Sequence, residues 1–133
     1  MATLIPKYST AQIAALTTTA IGQLSTEDWA AFNTAQIQAL TTSQIQAIDT
    51  ADLRALTTTS VAALLTQQIN VITTTQIGVL GTNQVAALTS AQVAAISTAD
   101  VAALSTAEVR ALTASSLAGL TTAQAKALVS TQA

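Results

Sequence analysis

An all-α solenoid of very short capped helices, one per eight residues, is the fold that this 133-residue sequence predicts. Three observations lead there. Every residue whose number is a multiple of eight is large and apolar, from Tyr8, Leu16 and Leu24 to Leu120 and Leu128. The residue after it is, in nearly every octad, a preferred helix N-cap, with Gln, Asp or Glu often three places beyond. A second apolar series, from Ile13, Ile21 and Trp29 to Val109 and Leu117, stands five places after the first and keeps its register throughout.

The chain opens on "MATLIPK", residues 1–7, which lies outside the repeat. Pro6 suits a lead-in or cap there, because proline lacks the N–H that a helix interior needs. The repeat then runs over residues 8–128. Eight residues advance a continuous helix about 80° beyond two turns, so a stripe of that period would spiral away from any partner. Each octad must therefore start a new element. Ser9, Thr17, Ser25, Asn33, Thr41 and their equivalents supply the caps. Gln12, Asp28, Gln36, Gln44, Asp52, Gln76, Asp100 and Glu108 complete capping boxes by returning to the N–H of the cap. The leucine before the cap and the Ile or Val at the fourth helical position form a hydrophobic staple across the helix start. A helix of one and a half to two turns, then a sharp corner, satisfies all three. A parallel β-solenoid would instead need alternating apolar residues and glycine corners. Octad bodies such as "AQVAA" and a total of only four glycines exclude that fold.

One octad cannot fold alone. Ordering eight residues costs about 8–16 kcal/mol, whereas burying one Leu and one Ile returns roughly 3–6 kcal/mol. Neighbouring octads must supply the difference, as in a solenoid. A weaker period of 24 indicates the coil: Ile48, Ile72 and Ile96 share it, as do Tyr8 with Phe32, and Asp28 and Asp52 with Asp100. Three octads per superhelical turn, giving a triangular prism, is the expected arrangement. Two per turn, an αα-hairpin solenoid of period 16, is the alternative. Glu27, Arg54, Asn70, Asn83, Arg110 and Lys126 fall at the third or sixth place after the leucine and are expected to face water. The alanine common at the seventh place suggests close helix stacking, although helix propensity also favours it.

Two octads depart from the pattern. "LLTQQINV" puts Leu65 at the cap, so its helix either starts at Thr66 or frays. The end, residues 129–133, is a degenerate octad that slips the motif by one place.

Composition excludes most chemistry. The chain has no histidine and no cysteine, which removes Ser-His-Asp triads, common zinc sets, disulfides and thiol nucleophiles. A Ser-Lys dyad would have to use Lys7 or Lys126, each in a terminal region. Asp28, Asp52 and Asp100, and Glu27 beside the first, are explained as acids favoured at helix N-termini rather than as a calcium ladder. Trp29 stands at a staple position, which makes it core rather than a ligand platform. No catalytic, cofactor-binding or metal site is therefore expected, and the chain is expected to be no enzyme. A net charge of −2 gives no grip on nucleic acid. No apolar run approaches the roughly 20 residues of a spanning helix, and no Sec-type signal peptide opens the chain, so a cytoplasmic protein or one secreted by a non-Sec route is expected.

The segment "LTSAQVAAI", residues 88–96, resembles the first helix of a transcription activator-like effector repeat, but the second helix and base-reading loop of that family have no counterpart here. The array as a whole resembles tandem Leu-Thr-Thr-x-Gln-Ile/Val-x-Ala octapeptides of large bacterial secreted and surface proteins. That resemblance implies a repetitive spacer or surface segment and supplies no site residues. The expected function is a structural rod, spacer or scaffold, with itself as a head-to-tail partner. The alternative is recognition of a regular surface such as ice through ordered Thr and Ala rows.

Overall fold

The computed structural model describes residues 3–128. A 3-10 turn at Ile5–Lys7 contains Pro6. After it come α1 (Thr10–Ala14), α2 (Thr18–Gln23), α3 (Thr26–Ala30), α4 (Thr34–Ala39), α5 (Thr42–Ala47), α6 (Thr50–Ala55), α7 (Thr58–Ala63) and α8 (Thr66–Asn70). Then follow α9 (Thr74–Gly78), α10 (Thr82–Ala86), α11 (Ser90–Ala95), α12 (Thr98–Ala103), α13 (Thr106–Ala111), α14 (Ala114–Leu117) and α15 (Thr122–Ala127). There is one helix per octad, and among the described residues there is no strand.

The corners explain why so little glycine is needed. At the end of α4, Leu40 (φ −63°, ψ 134°) and the next cap, Thr41 (φ −76°, ψ 163°), are both extended. Two consecutive extended residues redirect the chain without any left-handed position. Among the described residues none has a positive φ. The cap side chain then accepts the N–H of the third helical residue, as Thr41 does from Gln44 at 3.2 Å. Leu65 cannot accept such a bond, yet its backbone is extended like the other caps and α8 starts cleanly at Thr66. The octad therefore does not fray.

Helices stack in three columns of five. Every extensive contact joins a helix to the one three places later: α1–α4–α7–α10–α13, α2–α5–α8–α11–α14 and α3–α6–α9–α12–α15. Three octads thus complete one turn, and the two-per-turn alternative is set aside. Ile48, Ile72 and Ile96 lie at successive levels of one corner, as the 24-residue period predicts. Both apolar series fill the interior. The leucine series is buried from Phe32 to Leu112 and half-buried at Tyr8, Leu16, Leu24, Leu120 and Leu128. The staple series is buried from Ile13 to Val101, half-buried at Val109 and exposed at Leu117. Trp29 is fully buried and stacks on Phe32 at 4.6 Å between ring centroids. Glu27, Arg54, Asn70, Asn83, Arg110 and Lys126 are all exposed.

One expectation needs correction. Close stacking does not demand alanine at the seventh place, because Val71 and Val79 occupy it and are half-buried. At Gly119 crowding is severe: an added Cβ would collide with the backbone of Ser90. Elsewhere helix propensity is the sufficient reason for alanine. The degenerate octad at 129–133 lies outside the described residues.

Replacing Leu88 or Ile96 with Ala should lower stability by about 2–5 kcal/mol through a cavity in this narrow core. Arg110→Ala should change it by no more than about 0.5 kcal/mol. Thermal or urea melts followed by far-UV circular dichroism measure both; equal losses would mean that the assigned core is wrong. Leu65→Thr should raise stability by about 1 kcal/mol, because it supplies the missing cap bond to α8 without removing a buried group. A lower melting temperature would show that Leu65 contributes packing that outweighs the cap.

Candidate functional site

Seven of the octads hold a buried glutamine at their corner, and these corners are the main polar feature of the interior. Gln36, Gln44, Gln68, Gln76, Gln84, Gln92 and Gln124 stand at the third helical position and are all buried. The amide oxygen does what a capping box requires. In Gln76 it accepts the N–H of Thr73 at 3.0 Å, while the Thr73 hydroxyl accepts the Gln76 N–H. At Leu65 and Gly81, which lack a capping side chain, the glutamine half of the box survives alone.

The amide nitrogen does something that the capping pattern does not predict. Gln76 Nε2 donates to the carbonyls of Ile45, at 2.8 Å, and Ile48, at 3.0 Å, which belong to the preceding turn of the solenoid. The same pair of bonds, 31 and 28 residues back, recurs from Gln36, Gln44, Gln68, Gln84, Gln92 and Gln124. The accepting carbonyls lie at the C-terminal end of a helix and at the leucine of its corner, where the helix ladder runs out of N–H donors; the first of them, as in Ile45, also takes the N–H three residues on, at 3.2 Å from Ile48. One side chain thus closes the start of its own helix and the end of another.

Acids replace glutamine in three buried places. Asp52, Asp100 and Glu108 are each no more than 4% exposed. Glu108 keeps its box, accepting the Ser105 N–H at 2.8 Å. Asp52 and Asp100 form no box, contrary to the sequence-based expectation; beside Asp52 the cap is itself a carboxylate, Asp49, whose charge opposes it. In all three, one carboxyl oxygen is buried without a hydrogen-bond partner. Burial is the leading cause that raises all three pKa values. Asp52 is pushed up to about 6, with the Asp49 charge as the second cause and a smaller contribution from Asp28. The neighbouring Trp29 indole works the other way, although its Nε1 has no hydrogen bond of good geometry. Asp28 is the contrasting case: hydrogen bonding from Thr3 and then from the Ser25 N–H holds its carboxyl below the ordinary range.

Asp28 and Asp52 lie on stacked helices, and Asp100 lies two levels above Asp52 in the same column. Among the described residues no three acidic side chains are grouped to hold a metal ion. Among the described residues an apolar cavity of about 10 Å³ lies between Leu56, Leu64, Ile72 and Leu80, with no polar group to hold an ordered water. Outside, a shallow open groove runs past Thr42, Thr66, Asn70 and Ala95. Asn70 donates there to the Ala95 carbonyl of the following turn at 3.1 Å, and exposed Gln38 and Gln46 make the same kind of bond, 25 residues ahead, to Ala63 and Val71 at 3.0 Å. Among the described residues, no helix is long and apolar enough to cross a membrane.

The family model of the ALTTAQ repeat matches residues 45–82, 72–98 and 93–130, more than half of the chain. The chain belongs to the ALTTAQ-repeat family. No curated protein matches it, and no solved structure does. In this ALTTAQ-repeat protein the glutamine that ends the family's descriptive name is the residue that bonds one turn to the last.

Gln92→Ala should destabilise the protein by roughly 2–4 kcal/mol, because it leaves the Thr89 N–H and the Leu64 carbonyl without their glutamine partner and takes from the Val61 carbonyl the second of its two bonds. Gln67→Ala, at an exposed position of the neighbouring type, should stay within about 0.5 kcal/mol. Denaturant melts of both compare them; similar small losses would remove the glutamine from its structural role.

Proposed function

We propose that this ALTTAQ-repeat protein is a non-enzymatic rod, spacer or scaffold, of the kind expected within a repetitive secreted or surface protein. The supporting observation is where its buried polar groups are spent. The glutamines that a binding or catalytic pocket would have used converge on backbone of the adjacent turn, and the apolar core is continuous from Ile5 to Leu112. A molecule built this way extends by adding octads, each of which meets the same surroundings. Its natural partner is another rung. Leu117 is 43% exposed, and Leu120 and Leu128 are half-buried, so a further turn of octads would cover them. That turn comes either from more of the same chain or from a second copy placed head to tail, a contact that propagates in one direction.

Small-angle scattering and sedimentation test both parts. A rigid rod should lengthen in proportion to octads when the array is duplicated in one chain. Self-association should appear as elongated, concentration-dependent multimers and weaken in Leu120→Lys. A compact, non-proportional duplicate would reject the rod. A strictly monomeric protein at high concentration would reject the self-association and leave the rod standing.

One observation favours the second reading, recognition of a regular surface. Thr34, Thr58, Thr82 and Thr106 are exposed first-turn threonines of one helix column. Unlike the cap threonines, they do not carry the helix-start bonds. Measurable thermal hysteresis would favour ice recognition over the scaffold.

A further inference from the structure

We infer that Asp52, Asp100 and Glu108 are proton-holding rungs of the corner ladder, each donating a carboxyl O–H to the pair of carbonyls that glutamine serves elsewhere, and that these corners loosen when the proton leaves. Register identifies the acceptors. Seven glutamines place Nε2 on the carbonyls 31 and 28 residues earlier. For Asp52 those positions are Ile21 and Leu24, for Asp100 Ile69 and Ile72, and for Glu108 Ile77 and Leu80.

Three observations carry the assignment. First, one carboxyl oxygen is buried and unpartnered in all three acids, and in Glu108 it is Oε2, the oxygen that the capping box leaves over. An ionised carboxylate can only accept, and facing two carbonyls it would be repelled by both. A neutral carboxyl has the one donor that the place requires. Second, an O–H at this position reaches its carbonyl where the backbones are close enough: Ser116 Oγ donates to Leu88 O, 28 residues back, at 2.7 Å, whereas Ser60 bonds only to Thr57. Third, Glu108 already keeps the acceptor half of the glutamine pattern through Oε1. Protonation on Oε2 would complete it atom for atom.

Among the described residues, the elements packed on these acids direct no buried cation at them. Asp52 meets Asp49 of its own octad and Asp28 of the helix below, both anionic; Glu27 of that helix and its own Arg54 are exposed. The helix above, α9, and the helix at its corner, α2, carry no charged residue. Asp100 packs between α9, without charge, and α15, whose Lys126 is exposed; α8 at its corner is uncharged. Glu108 packs on uncharged α10, with uncharged α9 at its corner and its own Arg110 exposed.

The direction of the pH effect follows from the raised values. A group whose acid form is favoured by folding makes the folded state bind protons more tightly than the unfolded one. Its full contribution is present below the unfolded value of about 4. It is lost as pH rises through the folded value, which for Asp52 is about 6. Asp28, held low, acts in the opposite direction below that window. This solenoid is therefore tightest in mild acid.

Asp52 also has a built-in reporter, because the only tryptophan of the chain, Trp29, lies beside it with an unpaired N–H. On losing its proton the carboxylate becomes an acceptor for that indole. Three measurements on the whole chain test the inference. Trp29 fluorescence should titrate with a midpoint near 6 in the wild type, and that transition should vanish in Asp52→Asn. The melting temperature should fall as pH is raised from about 4 to 7, and the fall should be largely abolished when Asp52→Asn, Asp100→Asn and Glu108→Gln are combined. Carbon-13 carboxyl shifts of the unaltered protein should show these three acids titrating above the other carboxylates, which decides the matter even if the triple variant fails to fold. A melting temperature that rises over this interval, an unchanged slope in a folded triple variant, or ordinary titration of the three carboxyls would overturn the inference.

Discussion

A helix of five or six residues has almost no backbone that it can satisfy internally, and the whole structure answers that constraint. The first four N–H groups and last four carbonyls of any helix lack intrahelical partners, which here means nearly the entire element. At the N-terminal end the cap hydroxyl takes one N–H and the glutamine oxygen returns to the cap's own N–H. At the C-terminal end two carbonyls receive the glutamine nitrogen of a helix one turn further along. Helices this short are marginal in water. They persist because most ends are closed, many of them by a side chain from another turn.

Apolar burial and these hydrogen bonds have separate tasks. The two aliphatic series supply most of the drive to collapse, because that drive is roughly proportional to apolar area. They do little to choose between three octads per turn and two, since either coil can bury a leucine and an isoleucine per octad. The choice is made by directed bonds. Gln68 reaches Ile37 and Leu40 at 2.8 and 2.9 Å, and the same spacing returns in every glutamine corner. A two-per-turn coil would carry Nε2 away from both carbonyls and leave a buried amide unsatisfied, a severe penalty in a dry interior. Such specification of one coil by satisfied buried polar groups is what a fully paired network provides.

The octad, its caps, its staples and the three-octad turn were all legible in the sequence, because each leaves a periodic mark on residue type. The inter-turn role of glutamine was not, because the capping box accounted for the residue with only half of its side chain. A signal was present. A capping box accepts glutamate as readily as glutamine, and the helix dipole favours the acid. This position nevertheless carries Gln12, Gln36, Gln44, Gln68, Gln76, Gln84, Gln92 and Gln124 against a single glutamate, Glu108. A bias toward the amide, where the acid would serve the cap equally well, points to a required donor. Leu65 was ambiguous for a related reason: side-chain capping is missing there, and only in the folded structure does Gln68 appear as the residue that still closes the cap N–H, at 2.8 Å.

Serine at the glutamine position tests how strictly the ladder governs the backbone. Ser60 makes only local bonds with Thr57. Its helix, α7, keeps the full six residues, and Ala63 sits at the seventh place without difficulty. Ser116 instead donates to Leu88 O at 2.7 Å, although its side chain is far shorter than glutamine. The backbone must make up the missing length by moving inward. The consequences are visible in the same octad: α14 has only four residues, and Gly119 approaches the backbone of Ser90 so closely that a Cβ would collide with it. The glycine at 119 and the serine at 116 are thus two sides of one adjustment. At Ser116, unlike Ser60, the short donor meets its acceptor, and the residue at the point of close approach is the one without a side chain.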